Sequence, residues 1–145
     1  VVGNVTVASS NIVLGNTTVG TSNIVVGNTT LSTSNITLGN TAINWATVTT
    51  MAITANQTIA SIPVSGITGV EFFVKGVDSS GAKFSTSTVM AVTNGVNVDY
   101  VIYGTTFLGA TTGTLAVNIV GSSIALQVTP SSTNSTVWTT QFRTI

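Results

Sequence analysis

Few side chains in this chain could carry out acid–base or nucleophilic chemistry. Its 145 residues include three carboxylates, Glu71, Asp78 and Asp99, and neither His nor Cys. Without an imidazole or a thiolate, a Ser-His-Asp or Cys-His arrangement cannot form within the chain. Zinc sites would also lack their usual ligands. The sequence therefore predicts a protein that is not an enzyme, has no catalytic residue and binds no metal or cofactor.

The pattern around each carboxylate indicates a structural role. Asp78 begins an Asp-Ser-Ser-Gly turn, in which an Asp side chain typically binds its own backbone. Glu71 and Lys75 are four residues apart on one predicted strand, which places both on one solvated face. Asp99 alternates with the aromatic residue that follows it, so it faces away from the core and could pair with Arg143. A glycosidase needs two positioned carboxylates, and nothing in the pattern indicates such a pair.

The composition excludes other classes of partner. Charged residues make up 4% of the chain, the net charge is zero, and no charge precedes Glu71. Such a surface lacks the cluster of positive charge that binds nucleic acid or an anionic membrane. Aliphatic runs are only a few residues long, so no transmembrane helix and no membrane insertion are expected.

The element that organises the first part of the chain is a repeat of twelve residues. It reads GNVTVASSNIVL at 3–14, GNTTVGTSNIVV at 15–26, GNTTLSTSNITL at 27–38 and, less regularly, GNTAINWATVTT at 39–50. Apolar residues two positions apart share one face of a strand, and Gly-Asn supplies turns. The repeat predicts short strands joined by tight reversals.

Each repeat has about three apolar side chains, too few for a narrow array to build a core within one chain. The pattern therefore predicts a shaft intertwined between copies of the chain, most simply a homotrimer by analogy with known fibre shafts. The residues expected on the shared axis are Val7, Ile12, Leu14, Val19, Ile24, Val26, Leu31, Ile36, Leu38 and Ile43.

Two solenoid alternatives fit the repeat less well. A left-handed β-helix of one chain needs an aliphatic residue every six positions, and the series at 14, 20, 26, 32 and 38 is Leu, Gly, Val, Ser, Leu. An ice-binding solenoid needs Thr residues on one face, whereas Thr17 and Thr18 are adjacent and point to opposite faces.

The pattern changes near Trp45, which divides the chain into a shaft (1–46) and a C-terminal β-sandwich knob (47–145). About eight strands are predicted, including Met51–Thr54, Val96–Tyr103 and Thr105–Leu108, with a hairpin at Asn94-Gly95. The expected inward sets are Phe72/Val74, Phe84/Met90/Val92, Val98/Tyr100/Ile102, Leu115/Val117/Ile119, Ile124/Leu126/Val128 and Trp138/Phe142.

Trp45, Phe73 and Tyr103 fall at outward or junction positions of this pattern. Aromatic side chains on a neutral surface suit stacking against sugars, and these three are candidate surface-binding residues. The alternative is that they pack between subunits.

Residues 71–109, with the pattern VDSSGAKFSTSTVMAVTNG-x-NVDY, and residues 128–145, with STVWTTQFR, resemble the C-terminal domain of virion structural proteins of marine tailed bacteriophages, the cyanophages among them. Such proteins often carry this domain after tracts similar to GNTTV-x-x-SNI-x-L. The resemblance implies a trimeric fibre (tail, neck or head-attached) on the surface of a phage particle. The expected partners are other virion proteins and, through the knob, the host surface, where a glycan is a candidate ligand. The alternatives are a carbohydrate-binding or receptor-binding tip module and a bacterial surface filament or adhesin.

Overall fold

The computed structural model describes residues 35–38 and 41–145, which belong to one compact unit, Ser32–Ile145. The prediction of an all-β fold is confirmed for this part of the chain. Its strands are β1 (Asn35–Leu38), β2 (Thr41–Thr50), β3 (Gln57–Pro63), β4 (Gly69–Asp78), β5 (Phe84–Thr93), β6 (Val98–Leu108), β7 (Gly113–Val120), β8 (Ser123–Pro130) and β9 (Thr136–Thr144). Within the same residues there is no helix long and apolar enough to cross a bilayer.

The strands form two antiparallel sheets. One sheet has six strands in the order β1-β2-β9-β4-β5-β6, and the other has three in the order β3-β8-β7. Strand β9 lies inside the larger sheet and pairs with β2 on one side and with β4 on the other. The larger sheet therefore depends on pairing between strands that are far apart in the sequence.

The core lies between the sheets and is built by alternate residues of each strand. The sets expected from β4, β8 and β9 are buried as predicted, as are Leu115 and Val117 of β7. The ring of Trp138 is fully buried, and its Nε1 donates a 2.9 Å hydrogen bond to Oγ1 of Thr50. The residues that form this core are Ile59, Ala60, Ile62, Val70, Phe72, Val74, Val89, Ala91, Leu115, Val117, Ile124, Leu126, Val128, Trp138 and Phe142.

The inward set predicted for β5 is wrong. Phe84, Met90 and Val92 are exposed, whereas Val89 and Ala91 are buried. Val89 lies opposite Phe72, which is fully buried, and directly opposed residues share one face of a sheet. The second half of β5 has apolar residues at both odd and even positions, so its alternation does not identify the buried face.

Strand β6 also differs from the prediction. It is one strand and not two, because Gly104, at φ 62°, accommodates an extra residue where the register against β5 shifts. Tyr100 and Ile102 lie on the face that bears the core but remain exposed, since β6 is the edge of the larger sheet. Residues 51–54, predicted as a strand, form a loop between β2 and β3.

Two predicted turns are confirmed. The Asn94 amide donates to the carbonyl of Asn97 at 3.3 Å and Gly95 has φ 89°, which closes the β5–β6 hairpin. The Asp78 carboxylate accepts a 2.8 Å hydrogen bond from the Ser80 amide. Asp78 is also buried, a feature that its turn sequence does not indicate.

The expected shaft falls mostly on residues that the structure does not describe. Val7, Ile12, Leu14, Val19, Ile24, Val26 and Leu31 lie outside the described residues. Ile36 and Leu38 belong to β1 and Ile43 to β2, where Ile36 pairs with Ile43. Strand β2 continues through residues 46 and 47, the predicted junction of shaft and knob. The intertwined shaft and its division from the knob stay predictions.

Candidate functional site

The three candidate binding aromatics lie in one line across the outer face of the six-stranded sheet. Trp45 of β2 is opposite Gln141 of β9, and Gln141 is opposite Phe73 of β4. Phe73 is opposite Thr88 of β5, and Thr88 is opposite Tyr103 of β6. Directly opposed residues project to the same face of an antiparallel sheet. We call these five residues the aromatic row.

Aromatic and polar side chains alternate along the aromatic row. The three aromatic residues are between 42% and 44% exposed. Neighbouring strands are ~4.8 Å apart, so consecutive aromatic side chains start roughly 10 Å apart and the row is about 19 Å long. An extended ligand could therefore contact several of these rings at once.

Two cavities lie along the aromatic row. The larger, of about 390 Å³, is lined by Trp45 and Phe73 together with Lys75, Thr88 and Gln141. The smaller, of about 190 Å³, is lined by Ile43, Phe73, Gln141, Phe142 and Arg143. Phe73 and Gln141 line both, so these two side chains are central to the surface.

A charged cluster lies beside the aromatic row. Glu71 is 6% exposed and lies directly opposite Arg143 of β9. Arg143 contacts Oε2 of Glu71 through Nε and through a terminal guanidinium nitrogen, both at 2.7 Å. The hydroxyl of Tyr103 donates to Oε1 at 3.0 Å. Arg143 thereby compensates the charge of the Glu71 carboxylate, and both carboxylate oxygens have a partner.

This cluster corrects two interpretations of the sequence. Glu71 and Lys75 share one face of β4, as predicted, but Glu71 is not solvated there, because Arg143 and Tyr103 cover its carboxylate. Asp99 is not the partner of Arg143; Oδ1 of Asp99 accepts a 2.9 Å hydrogen bond from the Tyr100 amide. Only the pairing of β4 with β9 brings Glu71 and Arg143 together, since they are 72 residues apart.

The cluster also orients the ring of Tyr103. Glu71 is on β4 and Tyr103 on β6, so their hydrogen bond crosses β5 and directs the phenol over the outer face. That hydrogen bond stabilises the neutral phenol and raises the pKa of Tyr103 above its ordinary value; burial and the charge of Glu71 act in the same direction, and Arg143 opposes them. Tyr103 therefore remains a hydrogen-bond donor to higher pH than an ordinary tyrosine.

Asp78 is held in a structural cluster of its own. Its carboxylate accepts hydrogen bonds from the Ser80 amide and the Ser132 hydroxyl, both at 2.8 Å, and from Nδ2 of Asn134 at 3.1 Å. Hydrogen bonds from the side chain and backbone of Ser80, then from Ser132 and Asn134, keep the pKa of Asp78 well below its ordinary value, although burial acts against them. Asp78 thus joins the β4–β5 turn to the loop before β9.

The aromatic members of the row are recognisable from the sequence, but the polar members are not. Gln141 and Thr88 look like ordinary solvent-facing residues until strand pairing places them between the rings. Among the described residues, no three His, Cys, Asp or Glu side chains are grouped so that they could hold a metal ion. The aromatic row offers rings for stacking, and amide and hydroxyl groups for hydrogen bonding to a ligand.

No family model matches the chain, and neither does any curated protein. Among solved structures, the chain is similar to the tailspike protein gp49 from Acinetobacter baumannii bacteriophage Fri1, a capsular polysaccharide depolymerase. That similarity has 10% sequence identity and a TM-score of 0.48, and it covers 76% of this chain. The matched part is 19% of the tailspike chain. Similarity at this level indicates neither a shared ligand nor a shared activity.

Proposed function

We propose that this chain is a non-enzymatic fibre protein of a tailed phage particle whose β domain binds a neutral saccharide of the host surface. The phage context comes from the resemblance of residues 71–109 and 128–145 to virion structural proteins. The ligand class comes from the aromatic row. In this proposal the repeats form an oligomeric shaft, most simply a trimer, which other virion proteins attach to the particle.

The observation that carries the saccharide proposal is the alternation of rings with amide and hydroxyl groups. Sugars present C–H faces that pack on aromatic rings and hydroxyl groups that need both donors and acceptors. Trp45, Phe73 and Tyr103 offer the apolar faces. Gln141 offers both a donor and an acceptor between two of the rings, and Thr88 does so between the next two.

The charge distribution favours a neutral ligand. The net charge of the chain is zero, and Glu71 and Arg143 compensate each other beside the row. Lys75, which lines the larger cavity, is the remaining ionic group there. An acidic polysaccharide would meet one cation, and a basic ligand would meet no uncompensated carboxylate in this cavity.

Preorganisation also favours binding at this face. The strands fix the positions of the rings, and the bond to Glu71 holds Tyr103 over the surface. Ordering a mobile side chain on binding costs about 0.5–1.5 kcal/mol, so rings held in advance leave more of the interaction energy for affinity.

The experiment is a binding titration of neutral oligosaccharides, selected on a glycan array, with wild type and with Trp45→Ala, Phe73→Ala and Gln141→Ala. Each variant should weaken binding at least tenfold, equivalent to about 1.4 kcal/mol. The matched control is Phe84→Ala, a phenylalanine of similar exposure on the same face but outside the row. Equal loss in the control, or full affinity in the row variants, would contradict the proposal. Release of saccharide fragments during incubation would contradict its non-enzymatic part.

A further inference from the structure

Strand β6 is exposed on both faces and along one edge. It has 11 residues, and all of them except Val98 are exposed. Its inner edge pairs with β5. Among residues 35–38 and 41–145, no strand pairs with its outer edge. Within the described residues, the outward-facing backbone groups of β6 therefore have no strand partner, although the Tyr100 amide donates to Oδ1 of Asp99.

The composition of β6 is unusual for an open edge. Tyr100, Val101, Ile102, Phe107 and Leu108 are between 37% and 70% exposed. Edge strands are normally shielded by Lys, Pro, short length or a bulge. β6 contains no Lys and no Pro, and its single charged residue, Asp99, is next to its first residue. Only the bulge at Gly104 interrupts it.

Its apolar side chains point to both sides of the sheet. Tyr100, Ile102 and Phe107 lie on the face that bears the core, while Val101 and Leu108 lie on the opposite face. With full areas of about 150–250 Å² for large side chains, their exposed parts together amount to on the order of 500 Å². A standard interface buries ~800 Å² per partner. The exposed apolar area of β6, counted over both faces, is thus on the order of half the area that such an interface buries.

The chemistry of this surface indicates which kind of partner it binds. It has almost no charge with which to attract an ionic partner, and it combines an open strand edge with apolar side chains, as subunit interfaces of oligomers do. We propose that β6 is the strand through which copies of this chain contact one another. This inference rests on the homo-oligomeric part of the proposed function and not on saccharide binding. Tyr103 is outside the interface, because its hydroxyl reaches across β5 to Glu71 and its ring is thus directed away from the open edge.

The absence of cysteine from the chain allows a direct test. Val101→Cys places one thiol on β6, and Val120→Cys places one at the end of β7 as a matched control, since these valines are 54% and 50% exposed. Each full-length variant is labelled with a maleimide under native conditions, and its native mass is measured by light scattering at the same concentration. We expect a multiple of the 14.7 kDa chain mass and labelling of Val101→Cys at least tenfold slower than that of Val120→Cys.

Labelling at increasing dilution tests whether a second copy of the chain covers β6. If a second copy covers β6, labelling of Val101→Cys accelerates to the rate of the control as the oligomer dissociates. Equal rates while the oligomer is intact would overturn the proposal. A monomeric mass at every concentration would also overturn the proposal. This includes the case in which labelling of Val101→Cys stays slow because another segment of the same chain covers β6.

A second variant tests the same contact through affinity. Phe107→Lys changes an exposed side chain, so the monomer should fold with an unchanged circular dichroism spectrum. We expect it to dissociate at a protein concentration at least tenfold higher than wild type. An unchanged dissociation midpoint would overturn the proposal. Saccharide affinity is measured separately, so failure of the ligand proposal leaves this result intact.

Discussion

The hydroxyl of Tyr103 donates a 3.0 Å hydrogen bond to Oε1 of Glu71, across the strand that separates them. This contact couples the edge of the six-stranded sheet to its interior, because Glu71 is also held by Arg143 of β9. One buried carboxylate therefore sets the orientation of a ring in the aromatic row.

The first prediction concerns the ionisation of Tyr103. Glu71→Gln weakens the hydrogen bond that favours the protonated phenol and removes the negative charge that acts in the same direction, so the pKa of Tyr103 should fall toward its ordinary value of about 10. The chain has two tyrosines, so the absorbance of tyrosinate reports Tyr103 alone in a Tyr100→Phe background. Asp99→Asn in that background removes a carboxylate that does not contact Tyr103 and should leave its pKa unchanged.

The same shift predicts a dependence of stability on pH. The pKa of Tyr103 is raised in the folded state, so its contribution is fully present below the unfolded pKa of about 10 and is lost as pH rises through the folded pKa. Melting curves above pH 10 should therefore fall more steeply for the Tyr100→Phe protein than for the same protein with Glu71→Gln. Parallel curves would show that the hydrogen bond does not contribute to folding.

The second prediction concerns acid stability and Asp78. Its pKa is depressed in the folded state, so its stabilising contribution is present above the unfolded pKa of about 3.9 and is lost as pH falls toward the folded pKa. Asp78→Asn should lower the Tm at pH 7, and the difference from wild type should shrink below pH ~4. The control Asp99→Asn changes an exposed carboxylate and should give a small difference that does not depend on the Asp78 cluster. A constant difference between pH 7 and pH 2 for Asp78→Asn would contradict this account.

The third prediction concerns space around Trp138. A Cβ atom added to Gly76 would lie 2.6 Å from Cζ3 of Trp138, too close for either to remain in place. Gly76→Ala should therefore destabilise the fold by about 1–3 kcal/mol and change the fluorescence of the buried tryptophan. Gly69→Ala on the same strand is the control, since its Cβ would meet Ile145 at an ordinary 3.5 Å. Denaturant unfolding of both variants measures the difference, and equal stabilities would show that the core adapts without cost.

The fourth prediction concerns the indole hydrogen bond. Thr50→Val keeps the shape of the side chain but leaves the buried Nε1 of Trp138 without its acceptor, which should cost about 1–3 kcal/mol. Thr49→Val alters the neighbouring residue, which is exposed, and should change stability by less than about 0.5 kcal/mol. If the two variants unfold at the same denaturant concentration, the bond from Trp138 to Thr50 adds nothing to stability.

Sequence alternation predicted the buried faces where only one parity is apolar. Ile124, Leu126 and Val128 alternate with smaller or polar residues, and all three are fully buried. In β5 both parities are apolar near Met90, so the pattern could not decide between the faces. The decision comes from the opposite strand, where the fully buried Phe72 lies against Val89.

The polar members of the candidate site could not be found from local patterns. Gln141 lies between Trp45 and Phe73 only because β9 lies between β2 and β4, and no residue near Gln141 in the sequence indicates that order. The same pairing creates the contact of Glu71 with Arg143. Composition predicted instead what the surface lacks, since three carboxylates and three cations among 145 residues leave few ionic sites.

The position of β9 has a consequence for how the protein is made. Thr136–Thr144 is the last of the described strands to leave the ribosome, yet β2 and β4 are joined only through it. A nascent chain can form the β4–β5–β6 meander and the β7–β8 hairpin early. Strand β2 can join the rest of the larger sheet only after β9 has been synthesised. Ribosome stalling before Thr136 would leave two incomplete sheet fragments with open edges, a state prone to aggregation. Synthesis of this strand is therefore the step that commits the β domain to its native sheet.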